Sequence, residues 1–113
     1  MFPRLSSTFL ALCLACAIPL KTLASEPLWI DVRSAQEYSE GHVEQAVNIP
    51  YDEIAGGIAA LSTNKDAAIY VYCRSGRRSG IAQTTLEEIG YTQVINIGGL
   101  DDALNKAGQE TGH

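Results

Sequence analysis

The strongest constraint on this chain is an alternation: short apolar runs that read as strands are separated by stretches with helical spacing. "LWIDV" (Leu28 to Val32) is a brief apolar run ending on polar residues, which predicts a strand. "SAQEYSE" follows, with Ser34 and Glu37 in capping-box spacing, and predicts a short helix from Ala35 to Glu40. "AVNIP" (Ala46 to Pro50) predicts a second strand, closed by proline. "DEIAGGIAALS" sets Ile54, Ile58 and Leu61 at helical spacing despite the weakening pair Gly56–Gly57. "AAIYVY" (Ala67 to Tyr72) is nearly continuous in apolar and aromatic residues, as in a strand covered on both faces. "SGIAQTTLEEIG" groups Ile81, Ala82, Leu86 and Ile89, with Ser79 as candidate N-cap and Gly90 as stop. "QVINI" (Gln93 to Ile97) predicts a last strand and "GGLDDALNKAG" a short terminal helix. Four β-α repeats predict an α/β fold with a parallel central sheet of about four strands and helices on both faces. Ligands of such sheets bind outside the carboxyl edge. The strongest strand runs into "CRSGRRS", which places that loop at the edge.

The first 24 residues read differently. Arg4 gives a weakly positive head, "FLALCLACAI" (Phe9 to Ile18) is a ten-residue apolar run, Pro19 breaks it, and "TLAS" supplies small residues. This is the anatomy of a secretory signal peptide cleaved after Ala24, and the run is too short to span a bilayer. A buried N-terminal helix is the alternative, but the run lacks a polar stripe and a domain over 25–113 has little room to enclose it. The expectation is an exported, periplasmic chain with one domain over 25–113, free of the membrane once the signal is removed. A lipoprotein signal ending at Cys16 is a weaker option, because Cys13 stands where an aliphatic residue is expected.

Cleavage sharpens the charge balance. The whole chain carries net −5; without Arg4 and Lys21 it holds six Lys and Arg against thirteen Asp and Glu, net −7. Such a surface repels phosphate and argues against a nucleic-acid partner. Three of the six cations are Arg74, Arg77 and Arg78, beside Cys73. Cys13 and Cys16 form a C-x-x-C inside the apolar run, where they serve as small hydrophobic fillers rather than a redox pair. One cysteine is then left in the domain, and a lone thiol cannot staple an exported fold.

"CRSGRRS" has the composition of an anion cradle. A turn at Gly76 directs several backbone N–H groups to one point, and the following helix adds its N-terminal partial charge. A thiol at the start of such a loop has a depressed pKa. Arg74, Arg77 and Arg78 are placed to draw in an anion and hold its oxygens. The plain alternative is a buried structural thiol beside a solvated basic face; the charge asymmetry and the strand-to-glycine-turn context favour chemistry. Loop length separates two chemistries. Cysteine-dependent phosphatases use C-x5-R, and the sixth position after Cys73 is Ser79, with Arg78 one place early and Tyr72 where a histidine is common. A shorter loop makes a smaller cup, better matched to a sulfur carried on Cys73 than to a phosphate.

From Leu28 to about Leu104 the chain resembles the rhodanese family of sulfurtransferases, especially its single-domain exported type. "IDVRSAQEYSEGHVEQAVNIP" matches the family's first signature, "VYCRSGRRS" its active-site loop, and "GGL" (Gly98 to Leu100) the loop after the last strand. Gln45 stands where glycine is frequent and Ala103 where many members have tryptophan, and the few residues before Leu28 imply a trimmed sheet. The resemblance implies that Cys73 takes the outer sulfur of thiosulfate, releases sulfite, and passes the sulfur to cyanide or a thiol. It implies that the backbone N–H groups of Arg74, Ser75, Gly76, Arg77, Arg78 and Ser79 cradle the persulfide. Arg74 and Arg77 would bind the sulfonate oxygens. No metal or cofactor is implied, and a monomer is expected.

Other polar residues are expected to support the site. His42 is not needed as a base if the cradle already lowers the thiol pKa, so hydrogen bonding in the turn after Gly41 is its expected role. Asp31 and Arg33 are expected to form an ion pair that ties the first loop down. Tyr51, Tyr70, Tyr72 and Tyr91 read as packing or pocket-wall residues. Two competing functions stay open on sequence: a non-enzymatic persulfide carrier or stress-related sulfur-binding module, and a phosphatase or arsenate reductase using Cys73 on an oxyanion.

Overall fold

The computed structural model describes residues 26–109, so the proposed signal segment, residues 1–24, lies outside them. Strands β1 (Leu28–Asp31), β2 (Val47–Asn48), β3 (Ala68–Tyr72) and β4 (Gln93–Gly98) form one all-parallel sheet in the order β2-β1-β3-β4. Helix α1 (Ala35–Glu40) follows β1, the short α2 (Ile54–Gly57) follows β2, α3 (Arg77–Glu88) follows β3, and α4 (Leu100–Ala107) follows β4. The expected four-stranded α/β layer is therefore present.

Strand alternation sorts the core into two layers. Ile30 and Val71 are register partners on one face, where they meet Ile54 and Ile58 around α2 and Ala82 and Leu86 from α3. Trp29 and Tyr70, one residue back on each strand, point to the other face and make an edge-on pair at 4.9 Å. That layer holds Trp29, Val43, Tyr72, Ala103 and Leu104, the last two from α4. Ala103 is fully buried there.

Two elements depart from expectation. The "DEIAGGIAALS" segment is a 3₁₀ turn (Tyr51–Glu53), one turn of α-helix, and another 3₁₀ turn (Ile58–Ala60). The glycine pair weakens a continuous helix, and Gly57 is seated so that a Cβ there would lie 3.0 Å from Ile49 Cγ2. In addition, α3 starts at Arg77, with Gly76 as N-cap at φ 100°, rather than at Ser79. The left-handed glycine turns the chain early, so Ser79 sits inside the first turn, fully buried, instead of capping it.

A bulge shapes the carboxyl edge. Val71 pairs with Asn96 but Tyr72 pairs with Gly98, so Ile97 is an extra residue in β4. The offset brings the Gly98 carbonyl to the Cys73 N–H at 2.9 Å. The ends of β1, β3 and β4 thus present Arg33, Cys73 and Gly98–Gly99 along one edge.

Candidate active site

Cys73 directly follows β3 and is 1% exposed. Gly76 N–H donates to its Sγ at 3.0 Å, and the Ser79 hydroxyl lies 3.3 Å away. Burial pushes the thiol pKa up, but hydrogen bonds from the Ser79 hydroxyl and from the backbone of Ser79, Ser75 and Gly76 outweigh it. The result is a thiol lowered from 9.0 to about 7, so a large share is thiolate at neutral pH. The N-terminus of α3, three turns long, contributes positive potential at the same point.

The loop arginines do not act alike. Arg78 makes a two-point pair with Glu37, Nη1 to Oε1 at 2.8 Å and Nη2 to Oε2 at 3.0 Å. Arg74 reaches the same carboxylate with Nη1 at 3.3 Å, although its side chain is 74% exposed. Arg77, the first residue of α3, is exposed and has no ion pair among the described residues. Glu37 itself is held by the capping box: its Oε1 accepts from Ser34 N–H and Oγ–H, while Ser34 Oγ accepts from Glu37 N–H. Hydrogen bonds from Arg78 first, then from the Ser34 backbone, hold the Glu37 carboxyl well below the usual carboxylate range.

Asp31 and Arg33 form a buried ion pair, with Arg33 Nη2 2.7 Å from Asp31 Oδ2 and Nε 2.9 Å from Oδ1. Arg33 also donates to the Gly41 carbonyl at 2.7 Å, linking the end of β1 to the turn after α1. His42 stacks on the Tyr38 ring at 3.6 Å, and its Nδ1 is 2.7 Å from the Tyr38 carbonyl oxygen. Tyr72 accepts from the Val43 N–H at 3.0 Å through its hydroxyl, and Tyr91 donates to the Ser62 carbonyl at 2.6 Å. An open cleft of about 590 Å³ lies beside the loop, with Arg33, Glu37, Glu40, Arg74, Gly99 and Asp101 among its walls.

Three residues hold the site in ways that the sequence motifs did not assign. Asn96 donates from Nδ2 to the Gly76 carbonyl at 3.0 Å and accepts at Oδ1 from Gly98 N–H at 3.0 Å and Ser79 Oγ at 2.7 Å. A polar residue in the apolar run "QVINI" was the available signal. Gly99 packs so closely that a Cβ there would stand 2.5 Å from the Arg74 carbonyl oxygen. Glu37 was legible as a cap but not as the anchor of two arginines.

A parallel α/β sheet whose central strand delivers a low-pKa thiol to the Gly76 N–H and the Ser79 hydroxyl, at the N-terminus of a helix, defines a cysteine-based group-transfer protein. Comparison with known proteins gives its family. The model of the rhodanese-like domain matches residues 19–106. The chain is 45% identical over 91 residues to thiosulfate sulfurtransferase PspE of Escherichia coli (strain K12), covering 80% of this chain and 86% of that protein. A solved Escherichia coli rhodanese with anions superposes at TM-score 0.66 with 45% identity, covering 68% of this chain and 91% of that one. The human single-domain sulfurtransferase TSTD1 superposes at 0.62 with 26% identity, over 79% and 93%. The chain belongs to the rhodanese-like domain family and is a rhodanese-type sulfurtransferase.

Proposed function

We propose that this chain is a thiosulfate sulfurtransferase in which Cys73 carries the sulfur. The observation that supports this best is the pairing of Gly76 N–H and Ser79 Oγ with the thiol sulfur, at 3.0 and 3.3 Å. A nucleophile is useful here only as thiolate, and this cradle favours that form. The Cys73 thiolate attacks the outer sulfur of thiosulfate; the S–S bond breaks and sulfite leaves with the bonding pair. The negative charge then rests on the terminal sulfur of a Cys73 persulfide. Cyanide or a thiolate attacks that sulfur, and the bonding pair returns to Cys73 Sγ.

In this reading the N–H groups of Ser75, Gly76 and Ser79 stabilise negative sulfur in both half-reactions. Arg74 and Arg77 meet the sulfonate oxygens, since one is loosely paired and the other free of ion pairs among the described residues. Arg78 acts through Glu37, which takes its guanidinium at two points. An oxyanion hydrolase would need an arginine turned into the cup, and this pairing holds Arg78 elsewhere. Asp31, Arg33 and His42 hold the neighbouring loops. The signal-like first 24 residues support export to the periplasm, where the domain works as a monomer on a small anionic donor.

Exposure to thiosulfate followed by mass spectrometry tests the chemistry without guessing the acceptor. The expected result is a gain of one sulfur atom on Cys73, with none in Cys73→Ser, and thiocyanate when cyanide is added. A wild-type chain that gains no sulfur overturns the reading, and hydrolysis of an aryl phosphate would put an oxyanion substrate in its place.

A further inference from the structure

The Ser79 hydroxyl has one hydrogen and faces two acceptors, Cys73 Sγ at 3.3 Å and Asn96 Oδ1 at 2.7 Å. The other contacts of Asn96 fix which end of its amide faces Ser79. Nδ2 donates to the Gly76 carbonyl and Oδ1 accepts from Gly98 N–H. Turned over, the amide would set an NH₂ against an N–H and a carbonyl against a carbonyl. Oδ1 can therefore only accept from Ser79, and it competes with the sulfur for a single hydrogen. Ser79 and Cys73 are both buried, so the hydroxyl has no free exchange with bulk water.

We propose that Asn96 is a positioning residue for sulfur transfer: it takes the Ser79 hydrogen bond whenever Sγ carries no charge and releases it when Sγ becomes thiolate. This rests on the sulfur-transfer reading above. In the resting thiolate the charge-assisted O–H···S bond prevails. After attack on thiosulfate, the new S–S bond leaves Sγ neutral, the charge lies one atom further out, and sulfite has departed. The hydroxyl then turns to Asn96, so no buried donor is left unpaired in the persulfide state. When an acceptor anion takes the terminal sulfur, the bonding pair returns to Sγ and the hydroxyl turns back to meet it. Asn96 also holds the loop that presents the other donor, since the residue whose carbonyl it binds, Gly76, gives its N–H to Sγ.

A double-mutant cycle separates this role from scaffolding. The readout is the pH midpoint of Cys73 alkylation by iodoacetamide, followed by peptide mass spectrometry in wild type, Ser79→Ala, Asn96→Ala and the double variant. Arg74, Arg77, Arg78 and Glu37, the charged groups of the loop and its anchor, are the same in all four. With Ser79 present, Asn96→Ala should lower the midpoint by roughly half a unit to one unit, the worth of one hydrogen bond no longer shared. With Ser79→Ala in place, the same substitution should not lower the midpoint, since it then loosens only the loop that presents Gly76 N–H. An equal shift in both backgrounds, or none in either, overturns the proposal. If Asn96→Ala does not fold, Asn96→Asp serves. Its charge raises the midpoint in both backgrounds, but the rise should be larger with Ser79 present, and equal rises overturn the proposal. These measurements need no sulfur donor. A wild-type chain that shows the coupling yet gains no sulfur from thiosulfate would instead overturn the transfer reading and, with it, the role of Asn96 in transfer.

Discussion

The Arg78 guanidinium closes on the Glu37 carboxylate at two points, 2.8 and 3.0 Å, across a sequence separation of 41 residues. One side chain thereby caps α1 and neutralises part of the cationic loop after Cys73. With Arg74 on the same carboxylate at 3.3 Å, an incoming donor must compete with Glu37 for two of three arginines.

Glu37→Gln is therefore expected to strengthen anion capture. Pairs of this kind at a partly exposed site are worth at most about 1 kcal/mol, so kcat/KM for thiosulfate should rise up to about fivefold at low salt. The gain should shrink at high salt, where screening already weakens the pair. Ser34→Ala weakens the same cap, costing about 1 kcal/mol of stability, without adding loop charge. A fall in kcat/KM for Glu37→Gln in steady-state assays would show that the carboxylate orients Arg78 rather than restrains it.

Arg74→Ala and Arg77→Ala should each raise KM for thiosulfate by about tenfold, the worth of a charge-assisted hydrogen bond at an exposed site. Neither should alter KM for an uncharged sulfur donor to the same degree. Equal effects on both donors would mean that these side chains are not anion clamps.

The Cys73 thiol titrates near 7 in the folded chain against an ordinary 9.0. Between those values the folded state binds fewer protons than the unfolded one, so ionisation adds stability as pH rises. That contribution is complete above about 9 and is lost as pH falls through 7. Urea unfolding at pH 6 and pH 9 should show wild type gaining on Cys73→Ser at the higher pH. Persulfide formation should follow the same midpoint near 7, and a midpoint near 9 would show that the cradle does not stabilise the thiolate.

Gly99→Ala is expected to damage the site through the backbone alone. Its Cβ would meet the Arg74 carbonyl at 2.5 Å, a contact no side chain can relieve. The loop must shift, costing about 1–3 kcal/mol of stability as other overpacking substitutions do. Gly56→Ala, where a Cβ meets nothing within 4 Å, is the control that should leave sulfur transfer intact. Calorimetry and the thiocyanate assay on both variants would decide it; equal behaviour would mean that the close approach is tolerated.

What the sequence by itself determined is what short range controls. The capping box at Ser34 and Glu37, the nearly continuous apolar run "AAIYVY", and the placement of Cys73 at a sheet edge each depend on residues a few positions apart. The loop count, with Arg78 five residues after Cys73, was equally open to reading. What only the tertiary structure decided are contacts between distant segments. The Glu37 anchor joins the first helix to the third, and Asn96 reaches back 17 residues to Ser79. Ser79 reads locally as a cap; the left-handed Gly76 and the extra Ile97 in β4 turn it inward to the sulfur instead. Periodicity and capping follow from each segment's own geometry, whereas the donors around a buried thiol depend on register, bulge and helix entry, which exist only once the strands have paired.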